Sequence, residues 1–381
     1  MRKAFRNLHL WLSVPFGLII MLTCFSGAML VFEKEVTQWL RPAVFNVDPQ
    51  GRQPLPLDEV VARVSATLPA DVTVTGVTVF PDPHKAWQFP LSKPSRTSVY
   101  ANPYTGEVTG RSERLPFFAT MFSLHRWLLD SRPSGDGVFW GKLVVGVSTL
   151  LFVFVLVSGV VIWWPRTRKA LANSLKLTFS KGWRRLFYSL HVAGGMYVLL
   201  VLLVMALTGL TWSFDWYRTG FYHLFGAEVK SGMGHSNAAL NAKLKGGGEK
   251  HRGGAHASRE ADFRVAHWQE VYNQLRSENP DAAQISIADG SASVTVNRWG
   301  NTRSTDRYEF DSHTGQITGR TLYRDLDTSG TIRGWIYSMH VGSVGGLFTR
   351  ILWFLAALLG ATLPLTGYYL WIKRLRRKAC R

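Results

Sequence analysis

Four histidines stand at the edges of the longest apolar runs in this chain, each directly after Leu or Met. They are His9 after Leu8, His125 after Leu124, His191 after Leu190 and His340 after Met339. Imidazole binds transition metals through either ring nitrogen and is a common axial ligand of haem iron. Ionisable groups at membrane depth are rare enough to mark functional positions. His9 lies 18 residues before Gly27 in Phe25-Ser26-Gly27, and His191 lies 18 residues before Gly209 in Leu207-Thr208-Gly209. A lone interfacial histidine is an ordinary amphipathic side chain. Four at matched places point to two pairs of axial haem ligands. Met121, Met196 and Met339 are nearby thioether alternatives, although methionines in apolar helices mostly pack.

The elements that must position these residues are membrane helices. The 381 residues are 46% hydrophobic, with 15 Trp and 22 Phe, and the apolar residues come in blocks. Leu8–Phe32, Val138–Trp164, Leu186–Phe214 and Leu347–Ile372 are each long enough to cross ~30 Å of hydrocarbon at ~1.5 Å per residue. The first run starts with Arg2, Lys3 and Arg6 but is too long for a signal peptide and lacks an Ala-x-Ala site, so it is expected to remain as an anchor. The net charge of +19 collects at run edges. Arg166, Arg168, Lys169, Lys176, Lys181, Arg184 and Arg185 form one group, and Lys373, Arg374, Arg376, Arg377, Lys378 and Arg381 another. Positive residues stay cytoplasmic. Both termini and the middle loop are therefore expected inside, with the long polar segments outside. No nucleic-acid motif accompanies the charge. Cys24 and Cys380 are too few for a metal cluster.

The two halves share a plan: anchor helix, exterior segment, Leu/Met-His, second helix, basic end. Asn102-x-x-Thr105-Gly106-x-Val108-Thr109-Gly110-Arg111 parallels Asp311-x-x-Thr314-Gly315-x-Ile317-Thr318-Gly319-Arg320. The second helices end alike, in Ser158-Gly159 and Thr366-Gly367 before Trp163 and Trp371. Parallel repeats are related by an axis along the membrane normal. That axis would set His9 opposite His191 and His125 opposite His340. Each exterior segment reads as a helix followed by short alternating strands with Thr-Gly turns. The first has a helix at Leu57–Leu68 and strands near 72–80, 85–91, 98–101 and 107–109. The second has a helix at His267–Ser277 and strands near 283–287, 292–297, 306–310 and 316–318. Ser231–Arg259 has too few large apolar residues to order itself and reads as a mobile insertion. His235, His251, His256 and His267 fit no closed zinc spacing.

Gly17, Gly27, Gly159, Gly194, Gly195, Gly209 and Gly367 either admit a flat macrocycle or allow close helix packing. Arg126 and Arg333 are either haem-propionate partners or ordinary interfacial residues. No Gly-x-Gly-x-x-Gly after a strand, Walker motif or Cys-x-x-Cys-His occurs. Electrons would thus come from quinol or a separate donor.

On these four histidines and both Thr-Gly motifs, the chain resembles the PepSY-associated transmembrane family over nearly its whole length. Within it, the chain is most similar to the bacterial inner-membrane ferric-siderophore reductases. The resemblance implies four transmembrane α-helices in two tandem parallel repeats, each repeat with an exterior α+β PepSY-like domain. The expected boundaries are helix 1 at 1–34, a first periplasmic domain at 35–120, and a His segment with helix 2 at 121–164. A basic cytoplasmic loop at 165–185 and helix 3 at 186–215 come next. They precede a second periplasmic domain at 216–335 with the insertion 231–259, a His segment with helix 4 at 336–372, and a cytoplasmic tail at 373–381. The resemblance also implies two b-type haems on His9, His125, His191 and His340, and reduction of a ferric hydroxamate siderophore on the periplasmic side. No catalytic residue is assigned. Arg111, Arg320, Trp87 and Trp299 are docking candidates in a concave region between the exterior domains. The alternative is a non-enzymatic membrane module that binds or restrains a partner such as a peptidase or transporter, with structural histidines.

Overall fold

The computed structural model describes residues 2–94, 97–133, 137–180, 182–229, 265, 267–296 and 300–379. The insertion at 231–259, with His235, His251 and His256, lies outside the described residues, as do Trp299 and Cys380.

In chain order the first elements are α1 (Arg2–Val31), α2 (Glu33–Leu40), α3 (Pro42–Phe45) and α4 (Leu57–Ala66). Strands β1 (Gly76–Val79), β2 (Trp87–Pro90), β3 (Ser98–Ala101) and β4 (Val108–Arg111) follow. Then come α5 (Pro116–Trp127), α6 (Trp140–Trp163), α7 (Arg168–Ser174), α8 (Gly182–Ser189), α9 (Gly195–Ser213) and α10 (Asp215–Leu224). A π-helical turn, Leu190–Gly194, joins α8 to α9. The chain continues with α11 (Trp268–Glu278), β5 (Ala282–Ala288), β6 (Ser291–Val296), β7 (Thr305–Phe310) and β8 (Ile317–Thr321). It ends with α12 (Thr328–Val341) and α13 (Gly346–Ala379). The chain forms two compact units. One holds Met1–Glu33, Leu115–Phe225 and Trp335–Arg381, and the other Lys34–Arg114 and Gly226–Gly334.

The first unit is helical. Four stretches, Arg2–Val31, Trp140–Trp163, Gly182–Ser213 and Ser343–Arg376, are long and apolar enough to cross a membrane. This is a multi-pass membrane protein. α1 packs against α6 and α13, and α9 against the same two, so the long helices close a ring. Small residues line the contacts: Ser26, Ala28, Ser148 and Ala356 are fully buried. Without water to drive association inside lipid, close approach of backbones must hold helices together, and small side chains permit it. Leu200 and Phe348, 71% and 77% exposed, face outward where lipid rather than water solvates them. Polar side chains close the helix ends. Arg350 donates to the carbonyl of Val31 at the end of α1, and Arg2 donates to that of Trp164 just past α6. These carbonyls have no partner within their own helix, and a cation also suits the helix dipole there. Gly17 makes room for Tyr368, whose hydroxyl donates to Val14 O at 2.7 Å. That glycine serves helix packing.

The second unit is an antiparallel sheet with two helices on one face. The sequence suggested two separate exterior domains. The structure instead joins both segments in one eight-stranded sheet of order β4-β3-β2-β1-β5-β6-β7-β8. β1 and β5 are hydrogen-bonded with Val77 opposite Ile287 and Val79 opposite Ile285. A four-stranded half would leave the apolar β1 edge unpaired, and unpaired N–H and C=O groups seek a strand; the other half supplies it. A cavity in this unit is lined by residues of both segments, Arg52, Trp87 and Tyr104 from the first and Tyr272 and Arg276 from the second. The expected helix after Pro56 is α4, and its apolar stripe, Leu57, Val60, Val61 and Val64, is buried beside Trp268, Val271 and Leu275 of α11. The two helices are tied where Gln269 Oε1 accepts from the Leu57 amide at 2.8 Å. Strand β3 coincides with its predicted range, and β1 is shorter than predicted. The two Thr-Gly loops have one design. The Tyr104 and His313 amides donate to the side chains of Asn102 and Asp311 at 2.8 and 2.7 Å. Gly106 and Gly315 take left-handed φ values of 71° and 68°, which suit glycine.

Phe89 is fully buried at the centre of this core. Phe89→Ala should therefore destabilise the sheet unit by about 3–5 kcal/mol. The denaturant midpoint of its protection from protease reports this, with no change expected in the helical unit's far-UV signal.

Candidate functional site

Each long membrane helix carries one Ser-Gly or Thr-Gly pair: Ser26-Gly27 in α1, Ser158-Gly159 in α6, Thr208-Gly209 in α9 and Thr366-Gly367 in α13. Each pair seats one of the four histidines. In a helix, the side chain of residue n leans back over the turn toward n−4. Glycine at n leaves that surface bare and exposes the carbonyl of n−4, whose second lone pair is still free. The four carbonyls are those of Thr23, Val155, Met205 and Leu363.

The imidazoles take these carbonyls through Nδ1. His9 Nδ1 lies 3.1 Å from Val155 O and 3.0 Å from Ser158 Oγ. His191 Nδ1 lies 3.1 Å from Leu363 O and 3.0 Å from Thr366 Oγ1. His340 Nδ1 lies 3.0 Å from Met205 O and 3.1 Å from Thr208 Oγ1. His125 Nδ1 lies 2.8 Å from Thr23 O. The hydroxyls of Ser158, Thr208 and Thr366 donate to carbonyls of their own helix, so they present lone pairs to the rings. A carbonyl only accepts. Nδ1 must therefore carry the proton at all four sites, and Nε2 keeps its lone pair for a metal.

The rings meet in two pairs. His9 and His191 have centroids 6.3 Å apart at an interplanar angle of 87°. His125 and His340 have centroids 6.1 Å apart at 55°. A metal–imidazole bond is about 2 Å, and a ring nitrogen lies roughly 1.2 Å from its own centroid, so a metal held between two imidazoles in line separates the centroids by about 6.4 Å. Both pairs fit that span. Fourteen residues separate His9 from Thr23 on α1, which puts roughly 21 Å of helix between the levels of the two pairs.

The surroundings are apolar. Burial holds the imidazoles of His125 and His340 below the ordinary histidine range, with smaller contributions from Arg126 and, for His340, from His125. Both are neutral at pH 7. Trp212 packs edge-on against His340 at 5.0 Å. Arg126 follows His125 on α5, its guanidinium 5.6 Å from the Phe122 ring and 5.5 Å from the Trp127 ring, and burial lowers its pKa. Arg333 lies two turns before His340 on α12. His191 sits in the π-helical turn, a distortion that recurs at functional sites.

Four of the membrane glycines open onto the imidazoles. Methyl groups built on Gly27, Gly159, Gly209 and Gly367 would face His125, His9, His340 and His191 at 2.8, 3.6, 3.2 and 3.3 Å. These glycines make room for imidazole. Gly194 and Gly195 face Leu359 and Leu363. Among the docking candidates, Trp87 is only 5% exposed and belongs to the sheet core, because strand alternation turns it inward with Phe89. Its remaining exposed surface lines a cavity shared with Tyr104, Tyr272 and Arg276. Arg111 is exposed at the end of β4, and Arg320 is paired with Glu278 at 3.0 Å. His267 pairs with Glu270. The hydroxyls of Ser158, Thr208 and Thr366 were not among the expected site residues. Their signal was the single Ser/Thr-Gly pair in each membrane helix.

The profile of the PepSY-associated TM region matches residues 6–374. The chain belongs to this family. The match takes in all four seats and both Thr-Gly loops, so in this PepSY-associated chain the imidazole pairs and the joined sheet lie within the family's own region. No curated protein matches the chain.

Proposed function

We propose that this protein is a di-haem electron-transfer protein of the bacterial inner membrane that reduces ferric siderophore on the periplasmic side. The observation that carries the reading is the donor set. Among the described residues no three of His, Cys, Asp and Glu converge, yet two imidazole pairs stand at the span of a linearly held metal. A structural or catalytic zinc needs three or four protein ligands. Haem brings four nitrogens of its own and needs only two more. Two b-type haems, held by His9 with His191 and by His125 with His340, would supply one-electron transfer.

The chain's residues do the rest. The seats fix each ring by its Nδ1 proton and leave Nε2 free to bind a metal. The basic loop at 166–185 and the basic tail assign both termini to the cytoplasm. That orientation sets His9 and His191 on the cytoplasmic side and His125 and His340 on the periplasmic side. A quinol gives up two electrons and two protons, so one quinol serves two ferric chelates, each taking one electron to become ferrous. Hard hydroxamate oxygens hold ferrous iron less tightly than ferric, and reduction releases it without breaking the carrier. On the exterior unit, docking groups include the exposed Arg111 and the cavity lined by residues of both segments, Trp87, Tyr272 and Arg276 among them.

Purified protein should show a Soret band and split α/β bands on reduction. Once reduced by dithionite and desalted, it should be reoxidised by a ferric hydroxamate, with ferrous iron appearing in a ferrozine trap. A colourless, folded preparation would sink the haem reading and favour a partner-binding membrane module. A coloured one that stays reduced in every ferric chelate would sink the reductase step alone.

A further inference from the structure

We propose that the two imidazole pairs are unequal by construction. The His125/His340 centre has the higher reduction potential, and Ser158, Thr366, Thr208 and Arg126 are positioning residues that set the difference. This inference rests on the haem reading above.

The first cause is the count of acceptors. An acceptor on Nδ1–H draws the proton and leaves more electron density on Nε2, which favours the oxidised metal. His9 and His191 each face a carbonyl and a hydroxyl, four acceptors in all. His340 also faces two. His125 faces one acceptor, the Thr23 carbonyl at 2.8 Å; the Ser26 hydroxyl donates to Leu22 O and Thr23 O, as its counterparts do on their helices, but makes no bond to this ring. The three acceptors at this pair favour the reduced state relative to four.

The second cause is charge. Arg126 is the residue after His125 and is half-buried between the Phe122 and Trp127 rings. A cation in a poorly solvated place favours the state with one electron more. The cations that neighbour the other pair along the chain, among them Arg6, Arg184, Arg185 and Lys373, are exposed, where solvent and salt screen them. Charge is the larger of the two effects, since Coulomb energy at low dielectric exceeds the difference between one and two neutral acceptors. Both act in the same direction. An electron lost by the His9/His191 centre and gained by the His125/His340 centre therefore moves downhill. Quinol is the donor that refills the first, and a ferric chelate the acceptor that empties the second.

An optical redox titration of the haem-loaded full chain tests this. Two waves are expected. His125→Ala should abolish the upper wave and keep the lower. Ser158→Ala with Thr366→Val should raise the lower wave at unchanged haem content, and Arg126→Gln should lower the upper one. Thr208→Val is an independent check on the second centre and should raise the upper wave. Loss of the lower wave in His125→Ala would overturn the ordering. Unmoved potentials in all of these loaded variants would overturn the assigned causes. Wild-type chain that takes up no haem would remove the haem reading and this inference together, whereas two haems in the opposite order would remove only this inference.

Discussion

Alanine at His191 should lower the haem content from two per chain to one, and alanine at His9 should remove the same one. Each site takes one imidazole from each member of a pair, with ring centroids 6.3 and 6.1 Å apart. A haem held by that pair would lose one of its two imidazoles, while the other pair, roughly 21 Å of helix away, keeps its seats. Pyridine haemochrome analysis gives the ratio, and the spectrum of the remaining haem should be the same in His9→Ala and His191→Ala. His125→Ala and His340→Ala should share the complementary spectrum. Loss of both haems from every variant, with the helices intact by circular dichroism, would show that the pairs are not independent sites.

The second large effect is expected at a glycine. A methyl on Gly27 would lie 2.8 Å from Cε1 and 3.0 Å from Nδ1 of His125, closer than carbon contacts allow. α1 is held by α6 and α13 and cannot retreat, so the ring must. Moving it breaks the bond to Thr23 O and orphans a buried donor, which costs about 1–3 kcal/mol. At ~1.4 kcal/mol per factor of ten, haem at this site should be held roughly 10- to 100-fold less tightly in Gly27→Ala. Gly159→Ala is the control, because a methyl there meets His9 only at 3.6 Å, an ordinary contact. Transfer of haem to apomyoglobin measures both. Equal retention in the two variants would mean that the seats do not position the rings.

Much of this was legible in the chain because periodicity and length act locally. The four membrane helices follow from uninterrupted apolar runs, and α4 from its stripe at 57, 60, 61 and 64. The 18-residue spacings from His9 to Gly27 and from His191 to Gly209 already linked histidine to glycine along one helix. What they could not reveal is the exchange between helices: His9 uses the glycine of α6, and His125 uses that of α1. Spacing along a helix says where a residue stands, but which neighbour receives it depends on helix packing. The joining of β1 to β5 was hidden for the same reason. Each half has its own helix, strands and turns, and pairing across more than 200 residues leaves no local signature. Trp87 is mostly buried with Phe89 while its edge lines a cavity, a division that an aromatic among short strands does not disclose in sequence.

The union of the two half-sheets also bears on how the protein behaves in the company of its own copies. With β1 joined to β5, the outer strands among the described residues are β4 and β8, and neither is an inviting template. β3 and β4 slip register at Tyr100/Ala101, as do β7 and β8 at Glu309/Phe310, and such bulges twist an edge away from a flat partner. α3 lies along β4, where the Thr109 hydroxyl donates to Val44 O at 2.8 Å, and β8 carries Arg320. Strand-on-strand stacking into fibrils is therefore blocked at both ends of the sheet. Clumping of detergent-stripped protein should begin instead at the lipid-facing helices.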